Sequence, residues 1–152
     1  SLQNQGSILG FWRYRARVPT LVPFISGAAM LVRWVQYQQW GGFDERFIFY
    51  NEDLDLCRRI LKAGGLIGYF PEAEVLHLAG GSGAGHTAFG IEHGLVGGYY
   101  LVQKHFGGGI VLVFRLLITL QIFGWILVYA VGRRWDLTHA CGRVLKKIWL
   151  QD

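Results

Sequence analysis

The chain predicts an α/β layer followed by a hydrophobic, membrane-associating helix. Short apolar runs punctuated by glycine and proline alternate with helical patterns between residues 24 and 77, in the order strand, helix, helix, strand. Behind them, the 17 residues from Leu116 to Gly132 carry no charge, and Val111 to Phe114 extend that run if Arg115 snorkels to an interface. The 152 residues suffice for one core, and the 52% hydrophobic share is high for a domain of this size. Much of the excess lies between Ile110 and Val131.

The elements follow in order. Residues 1 to 23 are polar, then basic and aromatic, with Pro19 and Pro23, and read as a loop or an edge segment. Phe24 to Val32 is an apolar run of nine residues, the length of a buried strand, and its Gly27 and Ala28 admit close approach of a ligand or another chain. Arg33 to Gln39 reads as a short helix stopped by Gly41 and Gly42. Leu54, Cys57, Ile60 and Leu61 recur at helical spacing in a helix from Glu52 to Ala63, which Gly64 ends. Leu66 to Phe70 and Glu74 to His77 read as short strands about Pro71, and Leu78 to His86 as a flexible loop. A further helix spans Glu92 to Phe106, and Gly107, Gly108 and Gly109 break it.

Composition narrows the partners. The formal charge is +5, with Arg133, Arg134, Arg143, Lys146 and Lys147 all behind the apolar stretch. Basic residues beside an apolar segment match an anionic membrane surface. Nucleic acid fits less well, since no basic stripe interleaved with aromatics appears elsewhere. The positive-inside rule places the C-terminus in the cytoplasm. An enzyme using cytosolic substrates needs its N-terminal side there too, so a single span and an interfacial helix make opposing demands. Cys57 and Cys141 have no metal or redox spacing, and Cys57 falls on the apolar side of its helix as a buried thiol. The chain starts at Ser1 and has one methionine, Met30, which suggests the C-terminal piece of something longer.

Chemistry concentrates in Gly41 to Arg59, GGFDERFIFYNEDLDLCRR. Asp55 with Arg59 is an ordinary pair four residues apart on a helix. Glu52 and Asp53 differ because Phe43, Phe47, Phe49 and Tyr50 precede them. An aromatic wall tunes a carboxylate and gives a sugar ring a stacking surface, and a general base needs such tuning. His77 ends a strand and opens a glycine loop, a common place for a site in α/β folds. His86, His93, His105 and His139 read as surface or interface residues. The GGSGAG run lacks the Gly-Lys-Ser/Thr of a phosphate loop, and no HExxH, CxxC or GxSxG is present.

Taken together these pieces resemble the C-terminal half of a family 2 glycosyltransferase of the rhamnosyltransferase-like, GT-A fold kind. FISGAAMLVR (24–33), GGFDERF (41–47), EDLDLCRR (52–59) and PEAEVLHLAGGS (71–82) carry the resemblance in order. It implies that Asp53 is the catalytic base and that Glu52 orients the acceptor or supports the base. Gly27 and Ala28 would lie near the donor sugar, and Trp40 and Asp44 would shape the acceptor pocket. His77 would help bind a divalent metal, Mg or Mn, whose other ligands belong to an N-terminal half. Leu78 stands where many relatives have a second histidine, and Asn51 where an aromatic commonly precedes the acidic pair. The one Asp-x-Asp, Asp53 to Asp55, lies inside the helix and is not the family's nucleotide-binding motif.

The implied organisation is a GT-A part over 1–90, a connecting helix and glycine break over 91–109, a transmembrane or interfacial helix over 110–132 and a basic tail over 133–152. The implied partners are a nucleotide sugar, a glycan or lipid-linked acceptor and the membrane, with no nucleic acid. The implied location is the cytoplasmic face of a bacterial inner membrane, where such enzymes build surface polysaccharide or lipid-linked glycan. Lacking a nucleotide-binding half, the chain is expected to be inactive alone. The alternatives are a non-catalytic membrane-anchored remnant or partner subunit of a split glycosyltransferase, and a basic membrane-surface adaptor.

Overall fold

The computed structural model describes residues 17–76 and 87–150. Its elements are β1 (Thr20–Leu21), α1 (Trp34–Gln39), α2 (Glu52–Lys62), β2 (Gly68–Tyr69), α3 (Ala88–His105), α4 (Gly108–Val131) and α5 (Trp135–Leu150). Five helices and one two-stranded antiparallel ladder, Thr20 opposite Tyr69 and Leu21 opposite Gly68, replace the expected α/β layer among the described residues. The fold is helix-rich with minimal sheet.

Two cores divide the molecule. The first gathers Val22, Leu56, Cys57, Ile60 and Ile67, with Ile25, Met30, Tyr37, Trp40 and Tyr69 against them. It forms because Leu56, Cys57 and Ile60 share one face of α2 at helical spacing. Glu52, Asp53 and Asp55 occupy that helix's first turn, Arg59 and Lys62 its last, and both sets complement the helix dipole. Gly64, at φ 78°, ends it in the left-handed conformation that glycine adopts freely. The second core joins Tyr99 of α3, Ile118 and Ile122 of α4, and Cys141, Val144 and Ile148 of α5 in a three-helix bundle.

Several expectations are corrected. Phe24 to Val32 is not a buried strand: Ala29 N donates to Ser26 O at 3.3 Å in a turn, and Leu31 is 98% exposed. The Leu66 to Phe70 strand shrinks to β2, and Glu74 to Leu76 is irregular. The triple glycine is not a three-residue break, because α4 begins at Gly108 and takes Arg115 into its body. Residues 135–150 of the basic tail form α5, whose Leu137, Ala140, Cys141, Val144 and Ile148 are buried at helical spacing. Of the surface or interface reading, only the second holds for His105, whose side chain is 3% exposed and packs between α3 and Asp55 of α2. Helices α1 and α2 come within one residue of their expected bounds, and Cys57 is buried as expected.

Candidate functional site

The acidic pair sits at a backbone reversal. Tyr50 and Asn51 are consecutive left-handed residues, φ 62° and 74°, immediately before Glu52 opens α2. Non-glycine residues hold that conformation at a cost of about 1–3 kcal/mol each and need surrounding contacts to keep it. Helix α3 provides them. Asn51 Nδ2 donates to Gly94 O at 3.2 Å, and a Cβ on Gly97 would stand 3.0 Å from Asn51 Nδ2 and 3.3 Å from Tyr50 O. Glycine at 97 is therefore what lets the reversal lie against the helix.

Past the reversal, the Asp53 carboxylate is fixed by two backbone donors. Gly27 N donates to Oδ2 at 2.9 Å and Leu54 N to Oδ1 at 2.8 Å. The same turn thus brings together the predicted base and the predicted donor-side Gly27, whose own Cβ position would lie 3.4 Å from Asp53 Cβ. Ala28 is adjacent, its N–H on Ser26 Oγ at 3.3 Å. A carboxylate offers about four lone-pair directions, so two remain for a substrate hydroxyl. Beside it, Glu52 Oε2 is buried with no hydrogen-bond partner among the described residues. An unmet buried acceptor costs on the order of 1–3 kcal/mol.

Asp44 and Trp40 do different work. Asp44 accepts from Arg46 Nη2 at 3.1 Å, Tyr100 OH at 2.9 Å and Lys104 Nζ at 2.7 Å. Burial pushes its carboxyl up, but those three donors outweigh burial and hold it well below the usual carboxylate range. Burial and the bond to Asp44 push the Tyr100 phenol up to about 12. Trp40 lines an open cleft of about 560 Å³ with Ile25, Met30, Arg33, Gln36 and Ile60. Glu52, Asp53, Gly27, Ala28 and Asp44 are not among the residues lining that cleft.

Asp55 exceeds the helix pair read from the sequence. It is fully buried and meets Arg59 Nε at 2.8 Å, Lys104 Nζ at 2.8 Å and His105 Nε2 at 2.7 Å. Burial raises its carboxyl and the three partners lower it further, for a net fall. The Arg59 guanidinium also donates to Trp40 O and, at 2.6 Å, to Gly42 O, closing the 40–42 loop onto α2. Lys104 thereby spans two carboxylates, one from the 41–47 loop and one from α2. Sequence reasoning missed Lys104, Tyr100, Gly94, Gly97 and the role of Asn51. The available signals were glycines three apart in a helix and an asparagine, which tolerates left-handed backbone better than most residues.

The aromatics do not form one wall. Phe47 is buried against Tyr100 at 4.9 Å, Phe43 meets Tyr37 edge-on at 5.7 Å, and Phe49 packs between Tyr50 at 4.0 Å and Phe89 at 5.7 Å. His77 lies outside the described residues, as does the whole glycine loop from Leu78 to His86. Among the described residues, no three His, Cys, Asp or Glu side chains converge on a metal position.

Part of the chain is similar to known rhamnosyltransferases. It is 54% identical over 56 residues to the N-acetylglucosaminyl-diphospho-decaprenol L-rhamnosyltransferase of two Mycobacterium tuberculosis strains. It is 38% identical over 60 residues to Rhamnosyltransferase WbbL of Escherichia coli. The matches take in 37% and 40% of this chain and span 18% and 23% of those relatives' own length. No family model and no solved structure matches the chain.

Proposed function

We infer that the chain is the acceptor-side part of a membrane-associated, inverting glycosyltransferase. It moves a sugar from a nucleotide sugar to a glycan or lipid-linked acceptor at the cytoplasmic face of a bacterial inner membrane. The observation that carries this is the Asp53 carboxylate, held at a helix start by Gly27 N at 2.9 Å with lone pairs to spare. The partial likeness to enzymes named L-rhamnosyltransferase supports it.

In this reaction an acceptor hydroxyl oxygen attacks the anomeric carbon as its proton passes to Asp53. The bond from that carbon to the diphosphate breaks, and the electron pair leaves with the nucleotide diphosphate. Glu52, adjacent to Asp53 with its Oε2 buried, supports the base. The Gly27 turn lies on the donor side. A divalent metal with His77 among its ligands would neutralise the leaving group, and no residue among those described is assigned to it.

The test is a chimera in which residues 24–82 of this chain replace the matching stretch of the Mycobacterium tuberculosis relative. Transfer to N-acetylglucosaminyl-diphospho-decaprenol is expected to persist. Asp53→Asn should then reduce it about 10²–10⁴-fold, the usual contribution of a positioned general base, with melting temperature and donor binding unchanged. An Asn variant that transfers at the parental rate sinks the assignment.

A second reading, a non-catalytic partner subunit completing a split enzyme, draws on exposed apolar residues around the first core. Leu21, Leu31, Trp34 and Leu66 are 63–98% exposed, a surface that another domain would cover. It predicts that the chimera folds but that Asp53→Asn leaves transfer untouched.

A further inference from the structure

We propose that α4 lies in the plane of an anionic membrane as a one-sided anchor, leaving α3, α5 and the Asp53 site on the same side of the bilayer. The proposal is independent of the transfer chemistry and rests on how the two faces of α4 are used.

One face is spent on the protein. Ile118 and Ile122 are buried against Tyr99, Cys141, Val144 and Ile148. The opposite face stays bare along the whole helix: Leu112, Leu116, Leu120, Phe123, Leu127 and Val131 are 52–87% exposed. At 1.5 Å per residue, the 24 residues form an apolar ridge of about 36 Å, far longer than a soluble surface normally leaves uncovered.

That length would cross a bilayer, but the neighbours of α4 forbid it. Helix α5 returns antiparallel directly after Gly132, and Trp149 Nε1 near its far end donates to Thr119 Oγ1 at 3.0 Å. It therefore shadows α4 for more than half of its length. Between α3 and α5, Glu92 binds Arg143 at 2.6 Å and Lys147 at 2.8 Å. These charges flank Val144, which packs on the Ile118 and Ile122 cluster, so they stand abreast of the middle of α4. A spanning α4 would carry all three, and Arg115, into the hydrocarbon, at about 2.5–3.5 kcal/mol for each charged residue. Lying in plane, the ridge sinks about 5–10 Å into the acyl boundary and the ion cluster stays wet.

The occupant follows from charge. Arg133 and Arg134 are exposed at the end of the ridge, Lys146 is exposed on α5, and Trp135 beside them is 56% exposed. Anionic headgroups complement this basic rim and its tryptophan, whereas a second copy would bring another +5 chain against it. The arrangement also removes the orientation conflict, because the basic segment behind α4 and the candidate site before it occupy one side.

The test uses the full chain with Gly107→Cys or Asp136→Cys at the two ends of α4; the native Cys57 and Cys141 are buried. In inverted membrane vesicles from expressing cells, both engineered thiols should react with an impermeant maleimide without detergent. Purified chain should float with phosphatidylglycerol-containing vesicles, and binding should fall about 10-fold when phosphatidylcholine replaces that lipid. Combined Leu116→Gln, Leu120→Gln and Leu127→Gln should abolish flotation with helicity retained. Labelling at one end alone means a span and overturns the proposal. So does a wild-type chain that ignores vesicles and sediments as a dimer which the triple variant dissociates.

Discussion

Each half of the molecule has an apolar core, and the halves differ in what is added to it. Around α2, two-residue strands and long loops are fixed by directional charged contacts: Arg59 on two carbonyls, Lys104 on two carboxylates, Gly27 on Asp53. In the bundle of α3, α4 and α5, long helices are fixed by an apolar seam with one ion cluster at its edge. The contrast matters for a catalytic site. Directional contacts set a carboxylate's position closely but depend on every partner being present, whereas apolar packing tolerates small shifts.

The largest expected effect breaks the first half. Lys104→Met leaves Asp44 and the buried Asp55 without their shared cation, and should cost on the order of 3 kcal/mol. Thermal unfolding should fall by roughly 10 °C. A loss under 2 °C would mean that the network is ornamental and the contrast wrong.

Next comes the seam. Ile122→Val trims a fully buried site and should cost about 0.5–1.5 kcal/mol, while Leu120→Ala on the bare face should stay within about 0.5 kcal/mol in lipid-free solution. Denaturant midpoints compare the two directly. Equal losses would show that both faces of α4 are packed.

The smallest effect is with pH. Burial holds the His105 imidazole below its ordinary value; Asp55 pulls it up without reversing this, and Lys62 and Arg58 add to the fall. Lys62 Nζ lies 3.3 Å from Nδ1 and Asp55 Oδ1 2.7 Å from Nε2, which fits a neutral ring donating through Nε2. A depressed histidine contributes stability that is complete above its unfolded value, about 6.5, and lost as pH falls below it. Asp44 and Asp55, also depressed, lose their contribution only as pH falls below the ordinary carboxylate value of 3.8. Melting temperature should therefore be level above about pH 7, slope down from about 6.5 and steepen below about 4. His105→Gln should remove the first slope and leave the second.

What the sequence made legible was local. Gly41, Gly42 and Gly64 punctuate α1 and α2 as expected; of the expected face, Cys57 and Ile60 point inward, whereas Leu54 and Leu61 are exposed and Leu56 takes their place in the core. Phe24 to Val32 misled because nine apolar residues read as a strand, whereas the structure spends Gly27 N on Asp53, 26 residues away. The 133–152 segment was read for its charges, although the spacing of Leu137, Cys141, Val144 and Ile148 was open to view. Burial of His105 could not be read, since its partner Asp55 lies 50 residues upstream and only the fold joins them. At the candidate site the acidic pair was visible, but the reversal at Tyr50 and Asn51 was not, because α3 stabilises it from outside.

One feature joins the two halves directly. Lys104 and His105, which grip Asp44 and Asp55, are the last two residues of α3, and α4 begins three residues after His105. Only Phe106 and Gly107 intervene, and Phe106 is itself covered by the Arg58 guanidinium at 4.2 Å. The link is a crank with almost no play. Any tilt of α4 must be absorbed by the torsions of two residues or delivered as torque to the carboxylates that seat α2, and so to the placement of Asp53 at the other end of the same turn.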